Sequence, residues 1–280
     1  MSILSSARIS PTALYTGEVW QRYNRSFPEL KVTQGAMLFN LLEPVMIASR
    51  LLKGPTLTDF LLARHDLIDA QVDAHILQHT NPTIIEIAAG MSPRGMRFIR
   101  RHGPKITYIE ADLPVMAKGK RKRIQQHLQQ NPNHFVVPVD AFATSGDQSI
   151  HALFAGIPAG QPVCVVTEGL LNYFSRQQVE QLFATLASEF ESRPASLYVS
   201  DIHLQMQNKG VVADTFTTLL GLFVQGRVHL HYQQADDLVN ALQCNGLQGK
   251  LFKPSQFAAQ FESCKPLGAD FASILVAQKS

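Results

Sequence analysis

From residue 83 onward the chain alternates short β-branched runs with helix-length segments, and no other feature narrows its fold as far. The runs are Thr83–Ile87, Ile106–Glu110, His134–Val139, Val163–Thr167, Ser196–Ser200, Leu247–Phe252 and Phe271–Ala277. Between and after them, residues 93–102, 112–130, 146–155, 176–191, 205–223, 234–244 and 255–261 read as helical. The strands are apolar throughout rather than alternating, as burial on both faces demands. Regular insertion of helices predicts a mostly parallel sheet with helices on both sides, and right-handed crossovers make it a doubly wound α/β sheet of seven strands.

Residues 1–55 lack this alternation. They hold Tyr15, Trp20, Tyr23 and Phe27, then an apolar stretch from Met37 to Leu52 broken by Pro44, and read as an irregular, partly helical cap. The cap precedes one domain spanning 56–280. That domain opens with a long helix on which Leu57, Leu61, Ile68, Val72 and Ile76 recur at helical spacing, with Thr56 or Thr58 as its cap.

Composition removes several partners from consideration. The net charge of +3 is small, and much of the basic excess lies in Lys118–Arg123, which reads as a solvated helix face; no nucleic-acid partner is expected. No apolar run reaches the roughly 20 residues that span a bilayer, so no membrane partner is expected either. Cys164, Cys244 and Cys264 show no paired metal spacing, and the first residues show no signal-peptide pattern; a cytoplasmic protein without a metal site is the expectation.

In open α/β sheets ligands bind beyond the carboxyl ends of the strands. The first strand ends in Ala88-Ala89-Gly90, whose small side chains let a ligand approach the backbone, and Ser92-Pro93 then starts a helix. The second ends in Glu110-Ala111-Asp112, and an acid here can accept two hydrogen bonds from a ribose diol, or cap the next helix. The third ends in Asp140-Ala141-Phe142, where the acid can take an adenine amino group and the ring can pack on the base. The fourth ends in Glu168 and the fifth in Asp201-Ile202-His203. Successive acids at one sheet rim, downstream of a glycine turn, point to a nucleoside-containing cofactor. NAD would want glycine at positions where Ala88 and Pro93 stand, and no phosphate cradle for ATP occurs. S-adenosylmethionine carries no phosphate and tolerates such a turn. Its carboxylate needs a cation: Arg64 lies inside the apolar sector of the long helix, where it either extends its charge to the rim or pairs with that carboxylate.

Five segments in order, Pro11–Trp20, Arg64–Asp69, Glu86–Gly95, Tyr108–Pro114 and Glu168–Phe174, resemble the leucine carboxyl methyltransferase family, whose bacterial branch includes O-methyltransferases of the tetracenomycin-polyketide type. The resemblance runs from about residue 11 to 203. It implies a class I methyltransferase sheet with an N-terminal helical cap. It also implies Arg64 on the methionine carboxylate, Ala88 and Gly90 beneath the cofactor, Asp112 with Glu110 on the ribose, Asp140 on the adenine and Glu168 on the methionine amino group. Ala88 stands where many members carry glycine. The family's terminal-leucine substrate is not carried over, since no feature of this chain specifies it.

Methyl transfer from a sulfonium rests mainly on positioning. A carboxylate acceptor needs no base; a hydroxyl acceptor does, and His203, Asp201 and Tyr173 are the candidates in that order. The expectation is an O-methyltransferase acting on a small molecule or exposed carboxylate. A non-catalytic S-adenosylmethionine-binding protein and a nucleotide-dependent oxidoreductase are the competing readings. Arg64→Ala is expected to weaken cofactor binding far more than it lowers the melting temperature.

Overall fold

A computed structural model describes residues 11–51, 56–205 and 229–280. All seven expected strands form, in one sheet of order β3-β2-β1-β4-β5-β7-β6. They are β1 (Thr83–Ile87), β2 (Thr107–Asp112), β3 (His134–Pro138), β4 (Val163–Thr167), β5 (Leu197–Ile202), β6 (Leu247–Phe252) and β7 (Ser273–Lys279). Strands β1 to β5 pair in parallel, while β7 runs antiparallel between β5 and β6. The chain reverses direction between β1 and β4, so the carboxyl ends of these strands flank a crevice.

The helices are α1 (Pro11–Arg22), α2 (Thr33–Leu51), α3 (Leu57–Gln78), α4 (Arg94–His102), α5 (Pro114–Arg123), α6 (Gln125–Gln130), α7 (Ile150–Ala155), α8 (Arg176–Glu191) and α9 (Ala235–Cys244). Two expectations are corrected here. The lead-in is not irregular: α1 and α2 are regular helices, and α2 continues through Pro44. Pro44 and Asn40 are both exposed, so the carbonyl left without a donor one turn before the proline is open to water. The segment 112–130 is not one helix but two, divided at Ile124, whose ψ of 22° departs from helical geometry. Residues 255–261 form only a short turn of 3-10 helix, Pro254–Phe257. The expected helix over 205–223 lies almost wholly outside the described residues.

Thr56, not Thr58, caps α3: its hydroxyl accepts from Asp59 N–H while the Asp59 carboxylate accepts from Thr56 N–H. Helix α3 is buried on most sides because it is sandwiched. Leu57, Phe60, Leu61 and Leu62 pack with Tyr15, Val19, Phe39 and Met46 of the cap. Ala63, Leu67, Ile68, Val72 and Ile76 pack against Ile84, Tyr108, Val166 and Val199 of the sheet. Arg64 and His65 therefore sit where the cap meets the sheet rim. On the other face α7, α8 and α9 cover the strands with a second apolar cluster centred on Val165, Phe183 and Leu186. Among the described residues no helix is long and apolar enough to cross a membrane.

Candidate functional site

A cleft of about 590 Å³, open mouth included, lies at the carboxyl ends of β1 and β4. Its walls are Thr16 and Trp20 from α1, Arg64 from α3, Glu86 and the turn Ala88–Ser92 after β1, and Glu168, Gly169 and Tyr173 after β4. A groove of similar size over β6 and β7 presents Lys250 as its only charged side chain. The cleft brings three buried charges to one place, and there the chemistry concentrates.

The floor is the turn after β1. Ala88 and Gly90 both take positive φ, 56° and 50°. Gly90 N–H donates to Asp112 Oδ2 at 2.6 Å, and Leu113 N–H donates to Asp112 Oδ1 at 2.7 Å. Burial pushes the Asp112 carboxyl up, and these two N–H groups offset part of the rise. Ser92, expected to cap α4, accepts from Arg94 N–H at 3.2 Å, and the helix starts one residue later than the sequence suggests.

The wall is a network of buried charge. Arg64 Nε donates to Glu168 Oε1 at 3.0 Å and its Nη1 donates to Asp201 Oδ2 at 3.0 Å. Arg64 thus does not extend to solvent; it is 6% exposed and lines the cleft. Its Nη2 makes no hydrogen bond among the described residues, which leaves that amino group for an incoming carboxylate. Glu168 also accepts from Arg94 Nη2 at 2.5 Å and lies 3.1 Å from His65 Nδ1. Burial opposes its charged form, but Arg94, Arg64 and His65 overturn that and hold the carboxyl well below the ordinary range. Arg94 is fully buried and donates in addition to Asp69 at 2.6 Å and to Glu86. Arg97 pairs with Asp69 at 2.8 Å, and Tyr108 O–H donates to Glu86 at 2.9 Å. Arg64, Arg94, Arg97 and His65 thus face Glu86, Glu168, Asp69 and Asp201. The Trp20 ring lies 4.8 Å from that of His65 and roofs this network.

The expected site residues divide. Arg64, Ala88, Gly90 and Glu168 line the cleft, and Asp112 holds its floor. Asp140, Ala141 and Phe142 form the turn after β3; Phe142 N–H donates to Asp140 Oδ1 at 3.0 Å, and the Phe142 ring packs 4.2 Å from Phe174. Glu110 is misplaced for a ribose: its carboxylate is fully buried, against the Lys120 ammonium and 2.9 Å from His134 Nε2. Asp201 is spent as well, since Gly169 N–H donates to its Oδ1 at 2.6 Å and Arg64 occupies Oδ2. His203 is buried behind Phe60, ring centroids 5.5 Å apart, with Nδ1 2.6 Å from Phe271 O. Burial lowers its pKa and favours the neutral ring. It does not line the cleft, whereas Tyr173 does. Of the three base candidates, Tyr173 is the one that lines the cleft.

Sequence reasoning missed Arg94, Asp69, Glu86 and His65. His65 and Asp69 are an i,i+4 pair on a helix and were legible as such; Arg94 sits at a helix start, where its burial gives no local signal.

The sequence profile of the leucine carboxyl methyltransferase family matches residues 30–187. No curated protein matches the chain. Solved structures share its fold. The apo S-adenosylmethionine-dependent methyltransferase SibL is 15% identical with a TM-score of 0.53, over 88% of this chain and 57% of that one. An O-methyltransferase family protein from Burkholderia thailandensis is 15% identical with a TM-score of 0.53, over 96% and 71%. A structure from Thermobifida fusca YX is 9% identical with a TM-score of 0.64, over 95% and 94%. The chain thus spans just over half the length of SibL, and at these identities the likeness is one of fold.

Proposed function

The chain belongs to the leucine carboxyl methyltransferase family, and from that premise we propose that it transfers a methyl group from S-adenosylmethionine to an oxygen of a small molecule, a carboxylate or a hydroxyl. The observation that carries this reading is the pairing of Arg64 and Glu168 at the mouth of a glycine turn. One cation and one anion, side by side and buried, suit the carboxylate and ammonium of a methionine moiety.

S-adenosylmethionine supplies an electrophilic methyl group with a neutral thioether as leaving group. The protein's part is to bind, orient and exclude water. Arg64 offers its Nη2 amino group to the carboxylate. Glu168, ionised at any physiological pH, faces the ammonium. Asp112 fixes the Gly90 N–H and so the turn beneath the nucleoside, and Asp140, in the turn after β3, is the residue this reading assigns to the base. Trp20 closes the cleft from the cap, its ring face suited to a cationic group. The Tyr173 hydroxyl is the cleft-lining group nearest in kind to a base for a hydroxyl acceptor; a carboxylate acceptor needs none.

In this reading α1 and α2 are a cap on one unit with residues 56–280, and the three unbridged cysteines support a reducing, cytoplasmic setting. The test is turnover: labelled S-adenosylmethionine with a panel of carboxylates and phenols, read as S-adenosylhomocysteine. Binding of the cofactor without turnover on any acceptor fraction would favour a binding protein instead.

A further inference from the structure

A chain of buried polar side chains runs beneath the cleft floor and has no part in the reading above. Lys120 of α5 is 1% exposed. Its ammonium donates to the backbone carbonyl of Ser92 at 2.7 Å and lies against the carboxylate of Glu110. Glu110 Oε1 is 2.9 Å from His134 Nε2, and His134 Nδ1 is 2.9 Å from His127 Nε2. The carboxylate fits only because residue 95 is glycine: a Cβ there would overlap Glu110 Oε1 and stand 2.6 Å from His134 Nε2.

A buried lysine–glutamate pair is poor value as a fastening. Desolvating both ions offsets their attraction, and apolar residues of the same volume would hold α5 to β2 at least as well. Apolar residues could not grip a carbonyl. The Lys120 ammonium does so at the last residue of the turn that lines the cleft. The same turn is gripped from the other side where Gly90 N–H meets Asp112. Both restraints come from β2 and the helix after it, so the turn is held at an N–H and at a carbonyl two residues apart.

We propose that Lys120, Glu110 and His134 form a positioning unit that sets the shape of the turn Ala88–Ser92, and that cofactor affinity, not stability alone, depends on it. The proposal rests on the reading that this turn underlies the nucleoside. Glu110 then serves the cofactor through Lys120 and the backbone rather than by direct contact with the ribose.

The experiment is calorimetric titration of S-adenosylhomocysteine into the full chain, with melting curves of the ligand-free proteins alongside. Lys120→Met removes the grip. Gly95→Ala leaves every charge in place and displaces the Glu110 carboxylate. Leu186→Ala, on the buried face of α8, lowers stability without touching a polar contact of the turn. Both Lys120→Met and Gly95→Ala are expected to raise Kd by about tenfold or more, the usual effect of removing groups that orient a site's contacts. Leu186→Ala is expected to melt earlier with its Kd unchanged. If Lys120→Met and Gly95→Ala bind with the wild-type Kd, whatever their melting temperatures, the unit is structural only and the proposal fails. Should Lys120→Met not fold, Gly95→Ala and Glu110→Gln decide by the same criterion. Absence of binding by the wild type would overturn the cofactor reading itself, and this inference with it.

Discussion

Arg64 Nε meets Glu168 Oε1 at 3.0 Å although 104 residues separate them, and the same guanidinium reaches Asp201. Cutting Arg64 leaves the Asp201 carboxylate with the Gly169 N–H alone, while Glu168 keeps Arg94 and His65. This changes the expected behaviour of Arg64→Ala. From sequence alone the substitution was expected to weaken cofactor binding far more than to lower the melting temperature; with the buried Asp201 carboxylate left without its guanidinium, it should cost about 3–5 kcal/mol of stability as well as cofactor binding. Arg64→Lys separates the two effects. It keeps the charge and loses the fork, so it should melt closer to wild type than Arg64→Ala, yet bind S-adenosylhomocysteine about tenfold or more weakly. Denaturant unfolding and calorimetry of both variants check this.

A second prediction concerns mild acid. Burial, reinforced by His79, lowers the pKa of His75 to about 4 from 6.5. Above pH 6.5 the ring is neutral in both folded and unfolded chains. As pH falls below 6.5 the unfolded chain takes up its proton first, so stability drops until the folded group titrates near pH 4. The loss from this one group is on the order of 1–3 kcal/mol. His203, His127 and His231, also lowered by burial, share the window. The carboxylates of Glu168 and Asp69 are held low and act only at still lower pH. Urea unfolding at pH 7 and pH 4.5 should show a smaller drop for His75→Gln than for wild type.

Ala88 adopts φ 56° in the floor turn, a region that penalises side chains. A β-branched residue there is worse placed than alanine. Ala88→Val should cost about 1–3 kcal/mol, whereas Ala88→Gly trades relieved strain against a more flexible unfolded chain and should stay within about 1 kcal/mol of wild type. Thermal melts of the two variants measure the contrast.

For a hydroxyl acceptor, Tyr173→Phe should lower turnover more than His203→Gln, because Tyr173 lines the cleft and His203 stands behind Phe60. Loss of a positioned base costs about 10²–10⁴-fold. Initial rates at saturating S-adenosylmethionine compare the variants. Equal small losses would point to a carboxylate acceptor, and a larger loss for His203→Gln would reverse the assignment.

Much of the architecture was readable along the chain. The central strands β1 and β4 were marked by near-continuous apolar runs, since burial on both faces requires it, whereas the edge strand β6 carries Gln248 and Lys250 on an open face; the acids at strand ends marked the rim. What could not be read was direction and partnership. Glu110 and Asp112 lie two apart on one strand, and only the glycine at 95, on the facing helix, decides that the first is sealed beneath the floor while the second reaches the turn. Arg94 gave no local signal because its three carboxylates come from α3, β1 and the segment after β4. Pro44 read as a break because proline removes a helix hydrogen bond, but an exposed position lets water take the orphan carbonyl.

The sole tryptophan of the chain, Trp20, lines the cleft, so its emission reports directly on what enters there. Titration with S-adenosylhomocysteine should change that emission saturably, as one site, with a matching heat in calorimetry, while NAD leaves it unchanged. An emission spectrum and a heat signal indifferent to S-adenosylhomocysteine and S-adenosylmethionine, in protein shown to be folded, would contradict the account.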